Sequence, residues 1–175
     1  MLVFWKKGYD ATSIPDLLNE MGLSRSSLYE TFTDKETLYL EAIQHYKKIN
    51  QNKRNLLVHA PSAKVGIRQY FDRHIASAFS VDLPKGCLVT NATIGLDSPD
   101  EQLRKFIQDN FEELEQAFYE LLRKGQQTGE IDSAKDIKVL SLLLLNLNHS
   151  INVLSKVKTD KTVFYDMVDA VIEML

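Results

Sequence analysis

The sequence predicts an all-α protein, and three observations carry that prediction. Nearly every long segment repeats its apolar residues at three- and four-residue steps, the period of a helix face. Only four prolines and seven glycines punctuate 175 residues. No segment reads as a strand, and there is neither an internal repeat nor a low-complexity tract.

The first informative stretch runs from Gly8 to Lys35, GYDATSIPDLLNEMGLSRSSLYETFTDK. Thr12 or Ser13 caps a helix that has Pro15 in its first turn and Ile14, Leu17, Leu18 and Met21 as apolar positions. Gly22 follows where a tight turn needs a residue free to take positive φ. Leu23 plugs the angle between helices, and Ser24 caps a second short helix, Arg25 to Phe32, with Leu28 and Phe32 on its inner face. Two short helices joined by a glycine-containing turn form the helix-turn-helix pattern. In that motif the second helix enters the major groove with its amino-terminal residues toward the base edges. Here those residues are Arg25, Ser26, Ser27, Tyr29 and Glu30, all able to hydrogen-bond. An arginine pairs with guanine O6 and N7 together, a contact that discriminates by about 1–3 kcal/mol.

From Asp34 to about His59, Leu38, Ala42, Ile43, Tyr46 and Ile49 draw one helical stripe. Thr33 and Asp34 suit its cap, and Glu36 places a negative charge in the first turn. Pro61-Ser62 ends this helix and starts another that runs to about Val81. A shorter helix is predicted over 85–96, behind Pro84. A long helix begins near Ser98-Pro99, a cap followed by proline at the first helical position. It carries Leu103, Phe106, Ile107, Phe111, Leu114, Phe118, Leu121 and Leu122 on one face and ends at Gly129. Residues 133–157 are apolar almost all round, so that helix must be covered on more than one side. Residues 160–175 show the doublets Val163-Phe164, Met167-Val168 and Val171-Ile172 at four-residue steps. A terminal helix with so wide an apolar face is expected against a partner subunit.

Bulk composition narrows the function classes. Hydrophobic residues make up 44% and charged residues 26%, the profile of a soluble globular protein of one or two domains. No stretch approaches the roughly 18 uninterrupted apolar residues that span a bilayer; the densest run, Leu142 to Leu145, is stopped by Asn146, Asn148 and His149. There is no secretion signal, and the single cysteine, Cys87, forms no internal disulfide, which fits a cytoplasmic location. With only Lys85 as a nearby cation, Cys87 reads as a plain buried thiol. A net charge of −3 implies that any contact with nucleic acid is local. His45, His59, His74 and His149 have no metal-ligand spacing, and no HExxH, GxSxG or GxGxxG run occurs. No enzyme activity, metal or cofactor is therefore expected.

The run GYDATSIPDLLNEMGLSRSSLYETFTDKETLYLEAI resembles the DNA-binding segment of the TetR family. Its Gly-Tyr pair, threonine, turn glycine, Leu28-Tyr29 pair, Phe32 and Lys35 fall at the family's offsets. The later runs GCLVTNATIGLDSPDEQLRKFI and GQQTGEI are similar to ligand domains in part of that family. The resemblance implies that Thr12, Ser13, Tyr29 and Lys35 hold phosphates of double-stranded operator DNA, while Arg25, Ser26, Ser27 and Glu30 lie nearest the bases. Three positions depart from the pattern. Thr31 stands where a phosphate-binding His or Tyr is usual, Leu18 replaces a small residue, and Ser26 replaces Gly, Ala or Pro. MLVFWKK resembles only the carboxyl-terminal part of the family's first helix. Residues 1–48 hold six Lys/Arg against seven Asp/Glu, a net −1.

The resemblance further implies a helix-turn-helix head over residues 1–48, with a shortened first helix, and a ligand-binding and dimerisation domain over 49–175. Helices near 133–157 and 160–175 would pair with their copies in a four-helix bundle of a homodimer. Tyr70, His74, Phe111 and Phe118 lie on the middle helices, where the family keeps its pocket. Asn91, Asn146, Asn148 and His149 sit on largely apolar helices and must find partners within the chain, in the other subunit or in a ligand. Asn91, Asn146 and His149 are accordingly the further candidate contacts to a small-molecule effector. The expected function is a repressor that binds a pseudo-palindromic operator and is released by that effector. The alternative is a helical small-molecule-binding protein that has kept the fold and lost DNA binding.

Overall fold

The computed structural model describes residues 1–94 and 101–175, and among these residues the regular structure is helical with no strand. In chain order the helices are α1 (Leu2–Lys7), α2 (Ile14–Met21), α3 (Arg25–Thr31), α4 (Lys35–Ile49), α5 (Gln51–Val58), α6 (Ala63–Ala78), α7 (Leu88–Ile94), α8 (Glu101–Gln127), α9 (Ile137–Leu154) and α10 (Thr162–Met174). The chain folds as two units, Met1–Ile49 with Cys87–Ile107, and Asn50–Gly86 with Gln108–Leu175. The expected division was a single cut after residue 48. Instead, Cys87–Ile107 groups with the residues before that cut, because α7 packs on α1 and α4 and buries Leu88, Val89 and Ala92 there.

In the first unit the local chemistry matches the motif. Ser13, not Thr12, is the N-cap of α2, and it forms a reciprocal capping box with Asp16. Gly22 ends α2 at φ 65°, ψ 29°, a left-handed conformation that costs a residue with a Cβ more than glycine. Ser24 caps α3, accepting from the Ser27 N–H at 3.1 Å. Leu17 and Leu28, 2% and 0% exposed, lock the two short helices to the unit's core. Phe4, Tyr9 and Tyr39 pack ring to ring beside them, with the Phe4 and Tyr9 rings each 4.9 Å from Tyr39.

The predicted helix from Asp34 to His59 is two helices. Asn50, at φ −90° and ψ −1°, interrupts the ladder, and its carbonyl accepts instead from the Lys53 N–H three residues on, at 3.1 Å. Asparagine side chains compete with helical hydrogen bonds, and the run Asn50-Gln51-Asn52 offers no apolar packing to hold the ladder. The expected cap at Ser98-Pro99 and the end of the 85–96 helix lie outside the described residues. α9 starts at Ile137 rather than near Ser133, because the Asp136 carboxylate accepts from the N–H groups of Lys138 and Val139.

The second unit is built on α6, which packs against α5, α9 and α10. Ile67, Tyr70, Phe71 and Ile75 on α6 are at most 1% exposed, joined by Phe118 of α8, Leu144 and Ile151 of α9 and Phe164 and Val168 of α10. Each such side chain removed from water contributes roughly 1.5–3 kcal/mol. Close approach is enforced at Gly66, where an added Cβ would lie 2.6 Å from the Cβ of Ala60 and 2.8 Å from a Leu121 methyl. α6 also receives a cap from far along the chain, since the Glu130 carboxylate accepts from the Ala63 and Lys64 N–H groups at 2.7 and 3.0 Å. Burial pushes the Glu130 pKa up, but those two N–H groups, the Ser62 hydroxyl and the Lys64 charge together hold it below the ordinary value.

By length and composition alone α9 is apolar enough to cross a membrane, a property it shares with core helices of soluble proteins. Its faces differ. Leu144, Asn148, Ile151 and Asn152 are buried inside the unit, whereas Val139, Leu142, Leu143, Asn146 and Val153 are exposed along the other side. Beside it, Leu143, Asn146, Leu147 and Ser150 of α9 and Met167, Ala170 and Val171 of α10 line an apolar groove of about 360 Å³.

Candidate functional site

The exposed side of α3 carries the chemistry expected of a nucleic-acid-reading helix. Arg25, Ser26, Tyr29 and Glu30 are all exposed, Tyr29 by 44%. At about 100° per residue they span an arc of about 140°, opposite the buried Leu28. The Ser24 hydroxyl lies 2.8 Å from that of Ser26 and 2.9 Å from that of Ser27, so three hydroxyls cluster at the start of the helix. Ser27 is half-buried. Thr31, at the position that departs from the motif, donates its hydroxyl to the Ser27 carbonyl at 3.2 Å.

Around this helix the other predicted contacts fare differently. Lys35, in the first turn of α4, lies 4.3 Å above the centre of the Tyr9 ring, a cation–π contact that restricts where its ammonium can point. Tyr9 was not among the predicted contacts; the only signal for it was its place in the Gly-Tyr pair. Ser13 is exposed, but its hydroxyl donates to Asp16 at 2.8 Å and accepts from the Asp16 N–H at 3.2 Å. The Asp16 carboxylate also takes the Lys7 ammonium at 2.7 Å, and that hydrogen bond with those from Ser13 holds its pKa far below the usual carboxylate range. Thr12 is a correction. It is 0% exposed, and its hydroxyl donates to the Gly8 carbonyl at 2.6 Å, so it braces the loop before α2 from inside and reaches no surface.

Five of the candidate effector contacts, Tyr70, His74, Phe111, Phe118 and His149, lie on the inner sides of helices of the second unit. Tyr70 and His74 lie one turn apart on α6. The Tyr70 hydroxyl donates to the Asn148 carboxamide oxygen at 3.0 Å, and His74 Nε2 lies 3.2 Å from the Asn148 main-chain carbonyl. A carbonyl only accepts, so Nε2 carries the proton and Nδ1 is left to accept from the Lys53 ammonium, 3.0 Å away. Burial, reinforced by the Lys53 charge and by His149, pushes the His74 pKa well below the ordinary histidine value, against the Asn148 hydrogen bond. His149 sits edge-on to Phe111 at 4.3 Å, and burial lowers its pKa as well. The Phe118 ring lies against Tyr70 and Phe71 and is wholly buried, a core position.

The other two candidates lie elsewhere. Asn146 is exposed on the opposite side of α9, donates to the Leu142 carbonyl at 2.8 Å and lines the α9–α10 groove. Asn91 belongs to the first unit. Conversely, Lys53 and Asn148 are central to the cluster and were not among the predicted contacts. Asn148 was legible only as a buried amide, and Lys53 as one of many lysines. Among the described residues no group of three His, Cys, Asp or Glu side chains could hold a metal ion.

Two family descriptions match the chain. One, "Bacterial regulatory proteins, tetR family", covers residues 1–42, and the other, "Tetracyclin repressor-like, C-terminal domain", covers residues 64–171. The uncharacterized HTH-type transcriptional regulator YezE of Bacillus subtilis (strain 168) is 30% identical over 175 residues, 99% of this chain and 90% of that protein. The HTH-type transcriptional repressor ComR of Escherichia coli (strain K12) is 29% identical over 147 residues, 82% of this chain and 70% of its own. Among solved structures, a cysteine mutant of the TetR family regulator CifR, complexed with 26-bp double-strand operator DNA, aligns with a TM-score of 0.89 at 27% identity. That alignment covers 98% of this chain and 91% of the other.

Proposed function

The chain belongs to the tetR family of bacterial regulatory proteins and is a transcriptional regulator, and from that premise we propose that it is a repressor that grips a pseudo-palindromic operator as a two-fold dimer and lets go when a small molecule binds. The observation that carries the DNA reading is the exposed arc of Arg25, Ser26, Tyr29 and Glu30 on a helix anchored by Leu28. Arg25 and Ser26 read base edges, and Tyr29 and Lys35 hold phosphates. Ser13 meets a phosphate only by giving up its bond to Asp16. CifR, whose complex with operator DNA resembles this chain in fold, supports the choice of duplex DNA as partner.

Residues 1–48 do the reading, and the second unit, Asn50–Gly86 with Gln108–Leu175, binds the effector and dimerises. Val139, Leu142, Leu143, Asn146 and Val153 share one side of α9 at steps of 3, 4 and 7 residues, and α10 adds Ala170 and Met174, which are exposed. An apolar surface of this kind is unusual on a monomer. Pairing α9 and α10 with their copies covers it in a four-helix bundle and supplies the two recognition helices that two half-sites need. The effector engages the Lys53–His74–Asn148–Tyr70 cluster, with Phe111 and His149 beside it. A molecule that binds one arrangement of these helices better than another shifts the population toward it. The recognition helices then no longer match successive grooves.

Selection of bound duplexes from a random library, at two salt concentrations, tests this reading. A palindrome whose binding weakens with salt, and weakens again in Arg25→Ala and Tyr29→Phe, is the expected result. A folded dimer that enriches no sequence would overturn it and favour a small-molecule-binding protein without DNA activity.

A further inference from the structure

Among the described residues of the first unit, two buried polar atoms have no hydrogen-bond partner, the indole Nε1 of Trp5 and the carboxamide Oδ1 of Asn91. They are complementary, since an indole nitrogen only donates and an amide oxygen only accepts. They also sit on elements that touch. Trp5 is on α1 and Asn91 on α7, and these two helices pack against one another. α4 packs on α7 as well, and its Tyr46 holds the Trp5 ring edge-on at 4.9 Å. Trp5 is only 7% exposed, and its indole nitrogen is shielded from bulk solvent. Buried groups left unpaired are rare in native proteins, and two complementary ones on adjoining helices are a bond not yet made.

We propose that the Trp5 indole N–H and the Asn91 carboxamide oxygen form a hydrogen bond in a second arrangement of α7 against α1, making the pair a latch between two states of the head. The arrangement described here is the open one. It keeps its packing but leaves both groups desolvated and unpaired. The closed one satisfies both at the expense of some packing, so the two lie close in free energy. Packed helices slide by about 1–2 Å in transitions of this kind. Asn91 is well placed for such a move. α7 has seven described residues, Leu88–Ile94, and Gly86, just before it, holds a φ of 78° that few other residues adopt. α1 also packs on α2, the first helix of the helix-turn-helix, so a change at Trp5 reaches the element that orients α3. The link to DNA rests on the function proposed above; the latch itself does not.

Trp5 is the only tryptophan in the chain, so the ¹⁵N-labelled protein gives one indole resonance. Saturation-transfer exchange on that nitrogen, without DNA, is expected to reveal a minor state of about 0.1–10%, with the downfield shift of a hydrogen-bonded indole. Asn91→Leu removes the acceptor and is expected to abolish that state while the rest of the spectrum stays folded; Asn91→Ala, which also lacks an acceptor, serves if the leucine variant fails to fold. A single-state indole in the unaltered chain overturns the proposal, as does a minor state that survives loss of the acceptor. Because no DNA is present, this failure is distinct from a failure to bind an operator. With a selected operator at saturation, the ratio of the two states is expected to change by about fivefold or more, and an unchanged ratio overturns the link between the latch and DNA.

Discussion

His74 donates through Nε2 to the main-chain carbonyl of Asn148 at 3.2 Å, a bond between α6 and α9, while its other ring nitrogen accepts from Lys53 and can do so only when the ring is neutral. Burial holds the His74 pKa well below the ordinary 6.5, so the folded chain keeps the ring neutral at a pH where the unfolded chain protonates it. The stabilisation is therefore fully present above about pH 6.5 and is lost as pH falls from there toward the folded-state value. His149, whose pKa burial also lowers, adds a loss of the same sign. Urea midpoints at pH 7.5 and pH 5.5 are expected to fall with acid, and to fall less in His74→Gln, whose amide keeps a donor. Equal acid sensitivity in the two proteins would contradict this account.

Arg25 and Lys35 are expected to fail differently. Arg25→Ala removes a bidentate base contact, costing about 1–3 kcal/mol on the selected operator and relaxing the preference at one base pair. Lys35→Ala weakens all duplexes alike and lowers the salt slope by about one. Filter binding over a series of salt concentrations separates the two patterns. The Lys35 change also frees Tyr9, whose ring the ammonium now covers at 4.3 Å.

Leu143 lines the α9–α10 groove and is 38% exposed, so replacing it does not open the core. Leu143→Glu places a charge where two copies would meet, and desolvating it there without a partner is costly. Sedimentation velocity is expected to show a monomer with unchanged helicity. A dimer that persists at micromolar concentration would move the interface elsewhere.

Glu130 caps α6 from across the second unit. Glu130→Ala is expected to lower stability by about 0.5–2 kcal/mol, the range for losing an N-terminal cap. The folded-state pKa lies below the ordinary 4.5, so this contribution is present above that value and is lost as pH falls through the folded one. Chemical denaturation at pH 7 and pH 4 should therefore show a smaller difference between variant and parent at the lower pH.

Local chemistry is written in the sequence, and there the sequence alone determined the outcome. A serine before Ile14 and Pro15, a glycine after Met21, a second serine before Arg25, and Leu17 and Leu28 on the inner sides suffice for the helix-turn-helix. Each acts within one helical turn, and so the exposed side of α3 was legible. Tertiary structure decided whatever depended on direction across longer distances. Thr12 and Ser13 are neighbours of similar chemistry, but one faces the Gly8 carbonyl inside and the other caps α2. Asn146 and Asn148 are two residues apart, and about 200° of helical turn sends one to the exterior groove and the other to Tyr70 and His74. Nothing in α9 itself marks which of its apolar sides is buried, because both are apolar. The packing of α6 against it chooses, and so does the packing of α7 on α1 and α4, which draws Cys87–Ile107 into the first unit. Helix periodicity specifies which residues share a face, but the partner of that face comes from residues tens of positions away, and only the folded chain brings them together.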